Sequence, residues 1–200
     1  MTLLEEVPTT GTLREGSTPV LETERVVLRA PRPEDAKAIA RLANDRRIAE
    51  NTTRIPHPYH LGDAETFIDA VNKSDGELAF LITLDDEPIG ACGLAKLDGT
   101  VPDLGYWLGA PYWGNGYATE AARAVIDHAF TTLGYEVLQA GARVTNPASR
   151  RVLEKCGFQW TGVGLYRIRA LSSSAPIDRF RLDRGIWRSL KSWGKAKRVA

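Results

Sequence analysis

The segment from Pro102 to Phe130 constrains the fold of this chain more than any other. It runs from a strand-like stretch, Pro102-Asp103-Leu104-Gly105-Tyr106-Trp107-Leu108-Gly109, through a loop from Pro111 to Gly116, into Ala118 to Phe130, by composition the best helix in the sequence. A strand that feeds a helix in this way belongs to an α/β sheet, because the helix must turn back and cover the sheet. The glycines at 105 and 109 predict a bulge or the close approach of another group to the backbone. The loop itself, Trp113-Gly114-Asn115-Gly116-Tyr117-Ala118, lies where successive amides and the positive end of a helix can hold phosphate oxygens. On local grounds alone a phosphate cradle and a turn without a ligand fit it equally well. It is not a dinucleotide fingerprint, and no Gly-Lys-Ser/Thr follows to make it a P-loop.

The rest of the chain supplies a sheet for this unit. Arg25-Val26-Val27-Leu28-Arg29 reads as a strand, and Pro33-Glu34-Asp35 opens a helix through Ala43, with a proline and two acids in the first turn. Residues 44–61 read as a long connection, after which Asp63 caps a helix carrying Phe67, Ile68 and Val71. Leu78–Ile82 and Pro88–Leu94 flank the acidic trio Asp85-Asp86-Glu87 and predict an antiparallel hairpin. Beyond Gly134, Val137–Val144 is a strand, and Asn146-Pro147-Ala148-Ser149 starts a helix that Gly157 closes. Strands near 158–169 and 177–183, with a turn at Ser172-Ser173-Ser174, complete the pattern. The expectation is one α/β domain at 21–187, a mixed central sheet with helices on both faces, preceded by a flexible leader at 1–20 and followed by a basic tail at 188–200. Within 179–200, Ile186, Trp187, Leu190 and Trp193 recur at near-helical spacing and predict a helix against the domain or a partner subunit.

Charge and cysteine content exclude several function classes. The chain has 200 residues and a net charge of +1, so no polybasic signature marks it for nucleic acid or anionic membrane. The charge is uneven: −4 over residues 1–24 and +7 over 179–200 leave −2 for the body, which permits cationic acceptors. Cys92 and Cys156 cannot make a disulfide framework and offer no paired metal hook, and three histidines form no close ligand set. The N-terminus lacks a secretory pattern and no segment is long and apolar enough to span a membrane, so the expected location is the cytoplasm.

The stretches Leu104–Leu108, Tyr112-Trp113-Gly114-Asn115-Gly116-Tyr117-Ala118-Thr119-Glu120-Ala121 and Asn146–Phe158 resemble the GCN5-related N-acetyltransferases (GNAT), and within them the branch that acetylates the N-termini of ribosomal proteins. The resemblance runs from about Leu21 to about Trp187. It implies acetyl-CoA as cofactor, bound where the sheet splays between its fourth and fifth strands, those at 102–109 and 137–144. It also implies that the amides of Trp113, Gly114, Asn115, Gly116, Tyr117, Ala118 and Thr119 cradle the diphosphate, with Gly116 and Ala118 at the small positions of the family loop. Trp113 departs from the pattern, standing where the family has Arg or Gln. A backbone amide around Tyr106, Trp107 and Leu108 would hold the thioester carbonyl and its oxyanion. Asn146 matches the asparagine that contacts the pantetheine arm or the helix start, and Ser149 the serine that acts as general acid for the departing thiolate.

Acyl transfer to an amine also needs a group that takes the ammonium proton. Asp103 at the start of the central strand, and His57 and His60 in the long early connection, are the candidate bases, with release to water and no protein base as the alternative. Cys92, Cys156, His128 and Glu120 are expected to be structural. The implied acceptor is a protein N-terminal α-amine; aminoglycosides, polyamines and peptide antibiotics are the small-molecule alternatives. A noncatalytic CoA- or RNA-binding protein of the same fold is a further one. A homodimer through the late strands or the Trp187–Trp193 segment is the expected association, with no role for nucleic acid or membrane.

Overall fold

The computed structural model describes residues 18–73, 77–95 and 101–196, so most of the leader at 1–20 and the last residues of the tail lie outside the described residues. The strands are β1 (Leu21–Glu22), β2 (Val27–Arg29), β3 (Glu77–Leu84), β4 (Glu87–Ala95), β5 (Asp103–Leu108), β6 (Val137–Arg143), β7 (Gln159–Ile168) and β8 (Ser173–Asp183). The helices are α1 (Ala36–Ala43), α2 (Arg46–Ala49), α3 (Leu61–Lys73), α4 (Tyr117–Thr131), α5 (Pro147–Lys155) and α6 (Arg184–Ala196). One sheet runs in the order β1-β2-β3-β4-β5-β6-β8-β7, antiparallel throughout except for the β5/β6 pair. This is the mixed sheet with helices on both faces that the pattern predicts.

Alternation along the strands sorts the two faces. α4 sets Ala121, Val125 and Ala129 beside Ala122 and Ile126 in one stripe, all buried against Phe80, Cys92, Leu104, Leu138 and Phe180 of the sheet. Its alanines let the helix axis approach the sheet closely, and each fully buried large side chain contributes about 1.5–3 kcal/mol. Leu153 of α5 joins the same core. On the opposite face a smaller core, Ile39, Ala43, Tyr59, Ala64, Ile68 and Leu81, seats α1 and α3, with Trp107 packed against it. A buried ion pair ties this side together: Arg29 donates twice to the Asp35 carboxylate, at 2.7 and 2.9 Å.

The sheet divides at its centre. β5 pairs with β4 along its whole length, from Ala95↔Asp103 to Gly90↔Leu108. Against β6 it pairs only at Asp103↔Gln139 and Leu104↔Ala140, while β6 stays paired with β8 throughout. From Gly105 onward β5 therefore has a neighbour on one side only, and the two halves form the V expected between the strands at 102–109 and 137–144. No bulge accompanies the glycines of β5, whose register with β4 is unbroken. A Cβ on Gly105 would meet open space, whereas one on Gly109 would stand 2.6 Å from Leu42 Cδ2, so Gly109 marks the close approach.

Other boundaries differ from the sequence pattern for local reasons. The connection at 44–61 contains α2, capped by Asp45, whose carboxylate accepts from the Arg47 N–H. α3 begins at Leu61, ahead of Asp63, and Asp63 reaches back to the His60 N–H from inside the first turn. Ser173 and Ser174 belong to β8, and the turn falls at Arg169–Ser172, where Ser172 takes φ 51°. α6 continues past residue 187 into the segment that charge alone sets apart as a tail. Trp187 stacks on Phe130 at 5.3 Å and donates to Asp127 at 2.7 Å, which fixes α6 against α4, while Trp193 is 75% exposed.

Candidate active site

Two hydrogen bonds define which edges of β5 face the V. Gly109 N–H donates to Ile89 on β4 at 2.8 Å, and Gln139 N–H of β6 donates to Pro102 on the other side at 2.9 Å. Backbone groups alternate along a strand, so Pro102 presents its C=O, and residues 104, 106 and 108 their N–H and C=O, toward β6, while Trp107 presents its own toward β4. Beyond Leu104 β6 has diverged, which leaves the Tyr106 and Leu108 backbone facing the opening. The Leu108 carbonyl accepts the Trp113 indole N–H at 2.8 Å from that side. Of the three amides expected to hold an acyl carbonyl, Tyr106 and Leu108 are thus aimed into the V and Trp107 is not.

At the mouth of the V the loop before α4 needs its glycines. Gly114 and Gly116 take φ 81° and 85°, in the left-handed region where a side chain costs about 1–2 kcal/mol. Gly116 is the N-cap of α4 and supplies no side chain, so among the described residues no side chain caps its first-turn amides. Glu120, in that first turn, is turned aside: it accepts from Thr23 Oγ1 at 2.7 Å and from the Arg25 N–H and Nε, each at 2.7 Å. Burial raises the Glu120 carboxyl pKa, but these hydrogen bonds and the Arg25 charge outweigh it and hold the group below its ordinary range. Arg25 also donates to the Asn115 carbonyl at 2.9 Å and lies over the Tyr117 ring at 4.9 Å. First-turn amides free of a side-chain cap and a turn with no Cβ fit a diphosphate. Arg47, stacked 5.1 Å above Trp113, puts a second positive charge beside the position where the family pattern has Arg or Gln.

Deeper in the V, α5 meets β5. Asn146 caps α5, its Oδ1 accepting from Ser149 N–H at 3.1 Å, so of its two implied contacts the structure shows the helix start. The Tyr106 hydroxyl donates to the Ser149 carbonyl at 3.0 Å and lies 2.8 Å from Ser149 Oγ. Burial pushes the Tyr106 hydroxyl far above its ordinary value, so it stays protonated and serves as a donor at any working pH. Sequence reasoning gives the Tyr106 ring a packing or channel-wall role and a chemical role only to its backbone; its hydroxyl becomes a site group because β5 and α5 are adjacent in space.

A cavity of about 1300 Å³ runs through the V. Tyr106, Trp107, Leu108, Trp113, Gly114, Gly116, Ala118, Thr119, Asn146, Ser149 and Asp103 of the expected site line it. Asn115 and Tyr117 do not, being turned toward Arg25. Neither His57 nor His60 lines it: both are exposed on the far side of their loop, and the buried Tyr59 between them faces inward. Cys92 and Cys156 are buried, burial pushing the Cys156 thiol up to about 11 and Cys92 higher still, and His128 packs edge-on against Phe80. These three are structural, as expected.

The electrostatics of the cavity differ from the charge total of the body. Eight bases and three acids line it, so it is a basic site, although the body of the chain carries a slight negative charge. Arg54, Arg143, Arg169 and Arg179 are among the lining groups that sequence reasoning passes over. Among the described residues no helix is long and apolar enough to cross a membrane, and no cluster of His, Cys, Asp or Glu could hold a metal ion.

The splayed sheet, the uncapped glycine loop and the donor set at its base define an acyl-CoA-dependent transferase. Residues 25–159 match the family model described as the acetyltransferase (GNAT) domain, and the chain belongs to this family of enzymes that move an acetyl group from acetyl-CoA to an amine. It is similar to the uncharacterized N-acetyltransferase YoaA of Bacillus subtilis, 32% identical over 153 residues, which covers 72% of this chain and 85% of that protein. Two solved structures share the fold. Mycobacterium smegmatis RimJ in complex with CoA-disulfide superposes with a TM-score of 0.74 at 22% identity, covering 84% of this chain and 88% of that one. RimL, a ribosomal L7/L12 α-N-protein acetyltransferase in complex with coenzyme A, gives 0.73 at 14% identity, covering 82% and 98%.

Proposed function

We propose that this acetyltransferase modifies the α-amine of a protein N-terminus, such as that of a ribosomal protein. The observation that carries the reading is the Ser149–Tyr106 pair at the base of the V. It supplies a proton donor on an α5 helix whose sequence resembles the ribosomal-protein branch, and the fold likeness to RimL is consistent with it. Acetyl-CoA supplies an activated acyl group as a thioester. Every other part of the chemistry falls to the chain. The first-turn amides of α4 bind the diphosphate, and the Tyr106 and Leu108 amides orient and polarise the acyl carbonyl. Ser149 Oγ gives its proton to the departing sulfur, and the Tyr106 O–H turns its hydrogen bond onto the oxygen left behind.

Asp103 takes the proton from the acceptor ammonium through water. It is the one of the three candidate bases that lines the cavity, and three residues of strand place its Cα about 10 Å from that of Tyr106, too far for direct contact with the same atom. The long edge strand β7, with Val163 and Leu165 exposed, is the face through which two copies would associate. The test is incubation of the full chain with acetyl-CoA and a panel of N-terminal peptides, aminoglycosides and polyamines, followed by thiol release and mass spectrometry. Acetyl groups on peptide α-amines support the reading. Transfer only to the small amines replaces it, and acetyl-CoA binding without transfer to any acceptor would favour a noncatalytic role.

A further inference from the structure

The face of the sheet opposite α4 and α5 carries charge that the donor end does not use. Leu138, Ala140 and Ala142 of β6 pack into the core beneath those helices, so Gln139, Gly141 and Arg143 point the other way. The register pairs Arg143 with Ile177 and Gly141 with Arg179, which makes Arg143 and Arg179 diagonal neighbours on that face, about 7–8 Å apart at the backbone. Gly162 and Gly164 on β7 leave room for the Arg179 stem, its Cδ lying 3.6 Å from where a Cβ on Gly164 would stand. Arg169 joins from the turn between β7 and β8, where its N–H donates to the Thr53 carbonyl at 3.1 Å. Arg143 is fixed by donation from Nη1 to the Glu50 carbonyl at 2.9 Å, and its buried Nε has no partner.

These three guanidiniums line the same cavity as Ser149 and, like Arg151 of α5 but unlike its remaining arginines, carry no carboxylate. Arg54 is paired with Glu77, Arg181 with Asp183 and Arg47 with Asp45. Among the described residues, Arg143, Arg169 and Arg179 have no carboxylate partner. Diphosphate held at the α4 N-terminus lies across the sheet from them and cannot be that partner. Arg143 and Arg179 on adjacent strands and Arg169 from the turn present like charge to one cavity, and an anion bound there would take charge-assisted, bidentate hydrogen bonds from them.

We infer that Arg143, Arg169 and Arg179 form an anion subsite for the acceptor, so that the amine acetylated by this enzyme is followed by carboxylates: an acidic N-terminal segment. The inference rests on the N-terminal reading above and narrows it. Chain-terminal amine and carboxylate then divide the cavity: the carboxylate sits among the arginines, and the amine reaches through the V toward the acyl carbonyl, on the side where Asp103 stands.

The test uses the full chain with saturating acetyl-CoA and three peptides of equal length, beginning Ser-Asp-Glu, Ser-Gln-Gln and Ser-Lys-Lys. The acidic peptide is expected to have a KM at least about ten-fold below that of the neutral one, and the lysine peptide the highest. Arg179→Gln should erase about ten-fold of that preference, read as a rise in the KM of the acidic peptide relative to the neutral one, and Arg179→Glu should favour the lysine peptide. Equal use of the three peptides, or equal effects of Arg179→Gln on all of them, overturns the subsite. If no peptide is acetylated but small amines are, the N-terminal reading fails, and the subsite is judged by an amino acid against its decarboxylated amine. Preference for the amino acid that Arg179→Gln abolishes would keep the arginines as an anion site, and indifference would remove them. A still lower KM for a phosphorylated amine than for its carboxylated counterpart would overturn the assignment to carboxylate.

Discussion

Replacing Ser149 by alanine separates the chemical step from binding and folding. The substitution deletes Oγ but keeps the Ser149 N–H bond to Asn146 Oδ1 that caps α5. Tyr106 loses one contact at 2.8 Å and keeps the Ser149 carbonyl at 3.0 Å, so no buried hydroxyl is stranded. The stability cost is that of one hydrogen bond, about 0.5–1.5 kcal/mol, which lowers Tm by only a few degrees in a chain of this size. Loss of a general acid costs far more in rate: kcat is expected to fall at least about ten-fold, and by as much as about a hundred-fold. The KM for acetyl-CoA should change little, since the glycine loop and the β5 amides are untouched. Tyr106→Phe gives the control, keeping Oγ but removing the group that orients it and stabilises it after proton transfer, so a smaller loss of kcat, about three- to ten-fold, is expected. Because burial keeps Tyr106 protonated across the accessible range, neither loss should vary between about pH 6 and 9. The assay is thiol release at saturating donor, with donor affinity measured separately by calorimetry. Wild-type kcat in Ser149→Ala, or a loss found wholly in acetyl-CoA affinity, would refute the role of Ser149.

Two further perturbations test the donor loop and the scaffold. Gly116→Val places a β-branched side chain at φ 85° with its Cβ 3.3 Å from Arg25 Nη2, so acetyl-CoA should bind at least about ten-fold more weakly by calorimetry; wild-type affinity would put the diphosphate elsewhere. Asp35→Asn breaks the buried pair with Arg29 and should cost about 3 kcal/mol at pH 7 by urea denaturation. Burial pushes the Asp35 carboxyl up, but the Arg29 guanidinium and the Arg32 N–H outweigh it and leave the folded pKa depressed. A depressed carboxyl stabilises fully above its unfolded value and loses that contribution as pH falls through the folded one. The difference between wild type and Asp35→Asn should therefore shrink as pH falls below the ordinary aspartate value of about 4, and a difference that stays constant on acidification would contradict the assignment.

What was legible in the sequence follows from how local each signal is. The strand, loop and helix from 102 to 131 are set by glycines, alanines and periodicity within thirty residues, and the structure places them there. Asp85 and Asp86 likewise mark a two-residue turn that any reading of the acidic trio would find, and both take positive φ. The short helix α2 escaped because four residues show no period, and its cap, Asp45, looks like any loop aspartate. His57 and His60 drew attention by residue type, yet the loop turns them outward and Tyr59 inward, which depends on packing against α1 and α3 rather than on the local sequence. The charge of the cavity was not legible for the same reason. A total over the chain averages both faces of the sheet, whereas the cavity samples one.

The parity of β5 carries the argument from fold to chemistry. Asp103 and Tyr106 are an odd number of residues apart, so their side chains leave the strand on opposite faces. Tyr106 goes down to α5 and Ser149, on the side of the glycine loop, while Asp103 shares a face with Gln139 and, through the β6/β8 register, with the arginines. In a continuous sheet these two faces would be sealed from one another. Here β6 leaves β5 after Leu104, and the gap lets a donor approach from one face and an acceptor from the other, meeting beside the unpaired Tyr106 and Leu108 edges. The proposed acid, Ser149, and the proposed base, Asp103, are thereby kept apart by the strand itself. The proton released by the incoming amine and the proton needed by the outgoing sulfur are handled on different sides, and neither group has to exchange roles during turnover.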